Sequence, residues 1–259
     1  MENALLVGLS RQMALTHELD IVANNIANID TTGYKADNAR FSQYLMPQAS
    51  DGQFTGKDKG LSFVTDRGGW VDFSAGAIQR TGNPLDVAID GSAYLAVQTP
   101  RGVRYTRNGA LQTNATGQLV TDQGYPVLGD NGPITFQPGD HNVIISPSGI
   151  ITVRNGSDPA DAPRGRLQLA AFAQQNQLQK DGGSMFAAPA GVTAIAPPQG
   201  TRVVQGAIEK SNVNAVAEIS RMVQITQSYT DIANVLQQQS DQRKNALTQL
   251  SQAPASGSA

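Results

Sequence analysis

Leu5, Leu6, Leu9 and Met13, then Leu15, Leu19, Val22 and Ile26, recur at steps of three and four with polar side chains between them. That period gathers them on one stripe of an amphipathic helix. The helix is expected from about Glu2 to Ile29, roughly 40 Å long at about 1.5 Å per residue. From about Asn212 the period returns with Val216, Ile219, Met222, Val223, Ile225, Tyr229, Ile232 and Leu236. Met222, Ile225, Tyr229, Ile232 and Leu236 keep heptad spacing for about two repeats, fewer than define a coiled coil by pattern alone. Ser211, Asn212 and Asn214 are N-cap candidates. Beyond Gln237 the face turns polar, resuming only at Leu247 and Leu250, and the tail after Leu250 is expected to be disordered.

Between the helices the pattern changes to short runs broken by turns. Trp70 to Phe73 alternates, as do Leu85, Val87 and Ile89 before the turn at Asp90-Gly91. Tyr94 to Val97, Leu119-Val120, Tyr125 to Leu128, Val143 to Ile145 and Ile150 to Val153 follow, with Asp130-Asn131-Gly132 a hairpin signal. Leu167 to Phe172 and Val203-Val204 add further strands. Ser50 to Gly60 reads as a polar loop and Ala187 to Gly200 as an extended connector. The expected fold class is therefore α+β, with N- and C-terminal amphipathic helices pairing as a coiled coil around a central, mostly antiparallel β domain. Its divisions are a helical segment at 1–35, a β-rich body at 36–205, a second helical segment at 206–250 and a tail at 251–259.

The first helix closes in Ala23 to Lys35, ANNIANIDTTGYK. Asn24, Asn25 and Asn28 sit between apolar residues, although asparagine competes with the helix for backbone hydrogen bonds. Such amides can fix register on a helical seam. Gly33 suits the left-handed position after a last turn.

Composition narrows the chemistry. The chain has 259 residues, 39% of them hydrophobic, enough to bury a core. Net charge is -2, so no global basic field draws in nucleic acid. Cysteine is absent, which removes disulfides, thiol nucleophiles and zinc–thiolate sites. No basic, apolar leader opens the sequence, and no apolar run approaches the roughly 20 residues of a membrane-spanning helix.

Candidate chemistry is thin. His17 reads as a surface residue and His141 as a turn residue with no second ligand nearby in sequence. Asp86 and Asp90 share a strand face, an arrangement more common as strand-edge charge than as an acid–base pair. Asp72 is expected to satisfy turn amides. Ser148 lacks the glycine framing of a nucleophile elbow. Arg101, Arg104 and Arg107 alternate around Tyr105, which fits a solvated strand face or subunit contact better than a nucleic-acid platform. No catalytic, cofactor or metal site emerges.

Ala23–Lys35, Gly68–Phe73 (GGWVDF), Thr81–Gly91 (TGNPLDVAIDG), Arg104–Gln112 (RYTRNGALQ), Gly117–Gly129 (GQLVTDQGYPVLG) and Gly206–Val223 (GAIEKSNVNAVAEISRMV) together resemble the bacterial flagellar rod and hook axial proteins. The blocks span nearly the whole chain in that family's order. The opening MENALLVGLSRQMAL is most similar to the proximal-rod branch, with the distal-rod branch the close alternative. Ser92-Ala93-Tyr94-Leu95 departs from the Gly-Phe-Phe-like sequence typical of distal rod and hook proteins.

The resemblance implies a structural subunit of the flagellar basal body, not an enzyme, with no cofactor, nucleic-acid partner or small-molecule substrate. It implies export through the flagellar type III apparatus without a cleaved signal, and helical polymerisation with copies of itself and other proximal and distal rod proteins to carry torque. The expected assembly interface sets Leu5, Leu9, Met13, Leu19, Val22 and Ile26 against Ile219, Met222, Val223, Tyr229, Ile232 and Leu236. Asn24, Asn25 and Asn28 would set register between subunits. Rival classes are a periplasmic hydrolase built on the β body and a stand-alone oligomeric stalk.

Overall fold

The computed structural model describes residues 2–46, 61–155 and 161–252, apart from the side chains of 2–5, 41–46, 61–67 and 250–252. The side chains of Leu5 and of Phe41 to Met46, the expected loop from Ser50 to Gly60 and the final residues of the tail thus lie outside the described set. The chain divides into two units. One comprises Met1–Ile26, Asp37–Trp70 and Ala215–Ala259; the other comprises Ala27–Ala36 and Val71–Asn214.

Helix α1 (Glu2–Ala27) and helix α2 (Ala215–Gln252) dominate the first unit, with a two-stranded sheet of Asp37–Met46 and Leu61–Val71. α1 stops two residues before the expected Ile29, and Gly33 then takes the anticipated left-handed conformation at φ 68°. Among the described residues the helices meet at two marked places. The Arg221 guanidinium donates to Glu18 Oε1 from Nε at 3.0 Å and from Nη2 at 2.8 Å. Farther along, Gly8 lies so close beneath Leu236 that a Cβ there would come within 2.6 Å of its Cδ2. Moving back along α1 from Glu18 to Gly8 moves forward along α2 from Arg221 to Leu236, so the helices run antiparallel.

In the second unit a five-stranded sheet has the order Leu169–Ala171, Ala93–Thr99, Gly102–Thr106, Met185–Ala187, Gln179–Lys180. Pairing is antiparallel throughout. Strand Ala93–Thr99 is buried on both faces, so its sequence reads as a continuous apolar run. Leu95 and Val97 enter the main aliphatic core with Leu119, Ile151 and Leu167. Tyr94 points the other way, into a cluster with Phe172 and Phe186 whose rings meet edge-on at 6.0 and 5.9 Å. The hairpin at Asp130-Asn131-Gly132 forms as expected, pairing Gly132 with Gly129, and Val203-Val204 pairs with Ile89-Ala88.

Two boundaries differ from the pattern-based division. Residues 37–70 group with the terminal helices, not with the β body. Ala207–Glu209, placed in the second helical segment by sequence, is a strand paired with Ile78–Arg80, and the helix starts only at Ala215. Ile208 alternates with buried Ala207 and Glu209, the two-residue period of a strand.

Candidate functional site

The helical faces expected to form an assembly interface are mostly half-covered or bare. Met13 is 67% exposed and Val216 75% exposed, with Leu6, Leu9, Ile219, Val223 and Val235 each near half. Tyr229 is at the margin of exposure, and Leu19, Ile26, Met222, Ile232 and Leu236 are partly covered. Side chains of this size on one subunit keep large apolar areas in water, at roughly 25 cal/mol per Å².

Two expected interface residues are instead enclosed by their own chain. Val22 is 0% exposed. Asn25 is also 0% exposed, because its carboxamide clasps one residue of the following strand: Nδ2 donates to Asp37 O at 2.8 Å and Oδ1 accepts from Asp37 N at 2.9 Å. This pairing gives Asn25 an intrachain role in place of the register role expected between subunits. Asn28 is half-buried, its Oδ1 accepting from Thr31 Oγ1 at 3.1 Å, while Asn24 is exposed.

The second unit holds a buried ionic joint that sequence reasoning missed. Glu209 and Lys35 are each 1% exposed and Arg107 5%. Lys35 Nζ lies 2.7 Å from Glu209 Oε1 and donates to Ser74 O at 2.5 Å. Arg107 Nε sits 2.7 Å from Glu209 Oε2 as an ion pair, off the hydrogen-bond axis. Its Nη1 donates to Gly91 O at 2.8 Å and to Ala93 O, and the guanidinium lies over the Tyr94 ring. Burial lowers the Lys35 ammonium below its ordinary pKa, with the Glu209 carboxylate opposing that shift. Burial pushes the Tyr94 phenol up.

Gly33 is required here for two reasons. Its φ is positive, and a Cβ would meet the Arg107 carbonyl carbon and Asn108 nitrogen at 2.4 Å. The sequence carried a faint signal of this joint: a glutamate at an inward strand position in Ala207–Glu209, and a lysine ending the block that follows α1.

Residues weighed for catalysis disperse. Asp86 accepts from Thr81 Oγ1 at 2.7 Å and Asn83 Nδ2 at 2.9 Å, whereas Asp90 pairs with Arg202 at 2.8 Å. Asp72 Oδ1 takes the Ser74 amide at 2.9 Å, the expected turn role. Ser148 Oγ lies 2.9 Å from Ser146 Oγ in a turn. His141 Nδ1 lies 3.0 Å from Gly139 O. His17 corrects the surface reading: it is half-buried beside Asp20, Ile21, Asn24 and Asp37. The arginines split, Arg101 and Arg104 holding Asp181 while Arg107 turns inward. Arg107 therefore does not join the solvated strand face expected of all three. Among the described residues no cluster of three or more His, Asp or Glu could hold a metal, and no helix is long and apolar enough to cross a membrane.

The comparisons with known proteins fall on the same parts of the chain. Residues 5–35 match the family described as flagella basal body rod protein. Residues 88–153 match the flagellar hook protein FlgE/F/G D1 domain, and 204–250 the flagellar basal body rod FlgEFG protein C-terminal region. The flagellar basal-body rod protein FlgF of Caulobacter vibrioides is 37% identical over 253 residues, covering 96% of this chain and 98% of its own. The chain belongs to the flagellar basal-body rod protein family. It is FlgF-like: FlgF of Rhizobium meliloti is 34% identical over 91% of this chain and 92% of its own, whereas FlgG of Caulobacter vibrioides is 31% identical over 95% and 98%. This rod subunit is thus a structural component of the flagellar basal body, of a family of structural proteins and not of enzymes. Rod proteins assemble with other rod components.

Proposed function

We propose that this rod subunit polymerises helically with copies of itself and neighbouring rod proteins, in the proximal part of the rod, and carries torque from motor towards hook. The observation that carries the proposal is the apolar surface left bare on α1 and α2, with Met13 67% and Val216 75% exposed. In this proposal the two helices pair as a short coiled coil, and their remaining stripes pack on those of adjacent subunits in an inner tube. Leu9, Met13, Leu19 and Ile26 face Ile219, Met222, Val223, Tyr229, Ile232 and Leu236 within or between subunits, and Leu5 extends the same stripe. A head-to-tail contact that does not close generates such a helical filament. Asn24 sets register from the outer side of α1, while Val22 and Asn25 hold the subunit itself together. The chain reaches the basal body through the flagellar type III apparatus without a cleaved signal. A distal-rod position is the second reading, favoured by the 31% identity to FlgG over nearly the whole chain.

Cysteine chemistry tests the packing directly, since the chain has none of its own. Met13→Cys and Val223→Cys, treated with a short bis-maleimide in motile cells, should yield covalent subunit ladders. Motile cells that give only monomer from both variants would refute packing through these faces.

A further inference from the structure

The chain passes between its two units at four places: 26/27, 36/37, 70/71 and 214/215. An extended backbone is soft at φ and ψ of every residue, so a passage transmits twist only if it is anchored close to its root. Three of the four are anchored in this way within the second unit. No residue separates Ala36 from the passage at 36/37, Val71 alone separates Asp72 from that at 70/71, and Val213 and Asn214 separate Asn212 from that at 214/215.

The three anchoring segments form a closed triangle in which each bonds to both others. Residues 33–36 meet 209–212 through Gly33 N to Glu209 O at 2.8 Å and Ala36 N to Asn212 Oδ1 at 2.8 Å. Residues 33–36 meet 72–76 through Asp72 N to Ala36 O at 2.8 Å and Lys35 Nζ to Ser74 O at 2.5 Å. Residues 72–76 meet 209–212 through Asn212 Nδ2 to Asp72 O at 2.8 Å and Gly76 N to Glu209 Oε1 at 2.9 Å. Arg107 braces Glu209 against the carbonyls of Gly91 and Ala93, next to the buried sheet. Gly76 has no room for a side chain, since a Cβ would sit 1.9 Å from Lys210 O.

We propose that this triangle, centred on Glu209 and Asn212 and braced by Lys35 and Arg107, is a mechanical clamp that opens as one unit and carries load into the second unit from three passages of the chain. The load-bearing half rests on the torque-carrying reading above; the cooperative half stands without it. Bonds shared among three segments load together, and the buried ions exclude the water that would compete for them singly.

Amide hydrogen exchange on the full chain tests the cooperative half. Asn212→Ala removes the acceptor of the Ala36 amide and leaves Gly33, Asp72 and Gly76 their own acceptors. A clamp that opens as one unit predicts all four amides exchanging together, about tenfold or more faster, the scale set by one ordinary hydrogen bond. Leu95 and Ile151 should keep their protection. Acceleration confined to Ala36 overturns the proposal. If Asn212→Ala unfolds the unit, Lys35→Met, which takes no amide's acceptor, must accelerate the same four together or the clamp falls.

Motility tests the load-bearing half. Cells carrying Asn212→Ala should bear normal numbers of flagella, swim near normally in dilute medium and lose speed disproportionately as viscosity rises. Cells lacking the chain supply the reference. If they swim, the torque-carrying reading fails; if they do not, and the variant slows by the same fraction at every viscosity, the clamp carries no load.

Discussion

In the helical unit Met13 and Val216 stand two-thirds or more in solvent, whereas Leu95, Leu119 and Ile151 of the β unit are almost wholly withdrawn from it. Apart from Asn25, polar groups show the reverse distribution. Thr16, Ser220, Thr226, Thr230 and Thr248 of the helices bond back to carbonyls four residues earlier and stay on the surface. The β unit buries Lys35, Glu209 and Arg107 outright. The difference shows where each unit completes its folding free energy. One has a finished interior, ions included. The other leaves an apolar stripe half in water, although most helical stability comes from packing an apolar face.

The sharpest way to break that contrast is at the buried ions. Glu209→Gln leaves two cations facing a neutral amide, and the isolated chain should lose about 3–5 kcal/mol, read from urea unfolding. A loss within noise would mean that the joint is solvated and the β unit no more finished than the helices. Next comes a matched pair of truncations. Leu95→Ala should cost about 2–5 kcal/mol, whereas Leu9→Ala on half-exposed α1 should cost under about 1 kcal/mol in the monomer while impairing flagellar assembly. Equal costs would show α1 already packed in the free subunit.

A third comparison lies within one turn of helix. Asn25→Leu strands the Asp37 amide and carbonyl and should destabilise the chain by about 1–3 kcal/mol. Asn24→Leu should leave stability within about 0.5 kcal/mol and show itself only in motility. Swimming unaffected by Asn24→Leu would remove that residue from the proposed interface.

The smallest effect is one of pH. Because burial holds the Lys35 pKa below 10.5, the unfolded chain binds more protons between the folded value and 10.5, so this group makes stability rise with pH across that window. Lys35→Met should remove the rise. Tyr94 and Tyr105 act with the opposite sign above pH 10, since burial raises their pKa values and the unfolded chain loses those protons first. A urea midpoint that falls from pH 8 to 10 in the parent chain, and no less in the variant, would contradict the assignment.

What the sequence disclosed follows from how local each signal is. The stripe of α1 was readable because its period repeats within a few residues, and Gly33 because a helix end demands one conformation. Strand Ala93–Thr99 announced itself as an apolar run. The Asn25 clasp was missed because its partner is a backbone 12 residues on, carrying no side-chain signature. The ion joint was less visible still: Lys35 and Glu209 are 174 residues apart, and each looks like any charge beside a turn. Strands Asp37–Met46 and Leu61–Val71 were blurred for a related reason, since only their pairing across the intervening residues makes either a strand.

Asn212 Nδ2 donates to the Asp72 carbonyl at 2.8 Å, so the point near which the chain enters its long run through the β unit, at Val71, touches the point near which it leaves, at Asn214. A segment whose two ends meet is a cassette. It can be lengthened, exchanged for another domain or replaced by a brief linker while the flanking chain keeps its course, the circumstance in which domain insertion is tolerated. A foreign domain grafted at 72 and 212 offers a way to display cargo along the basal body.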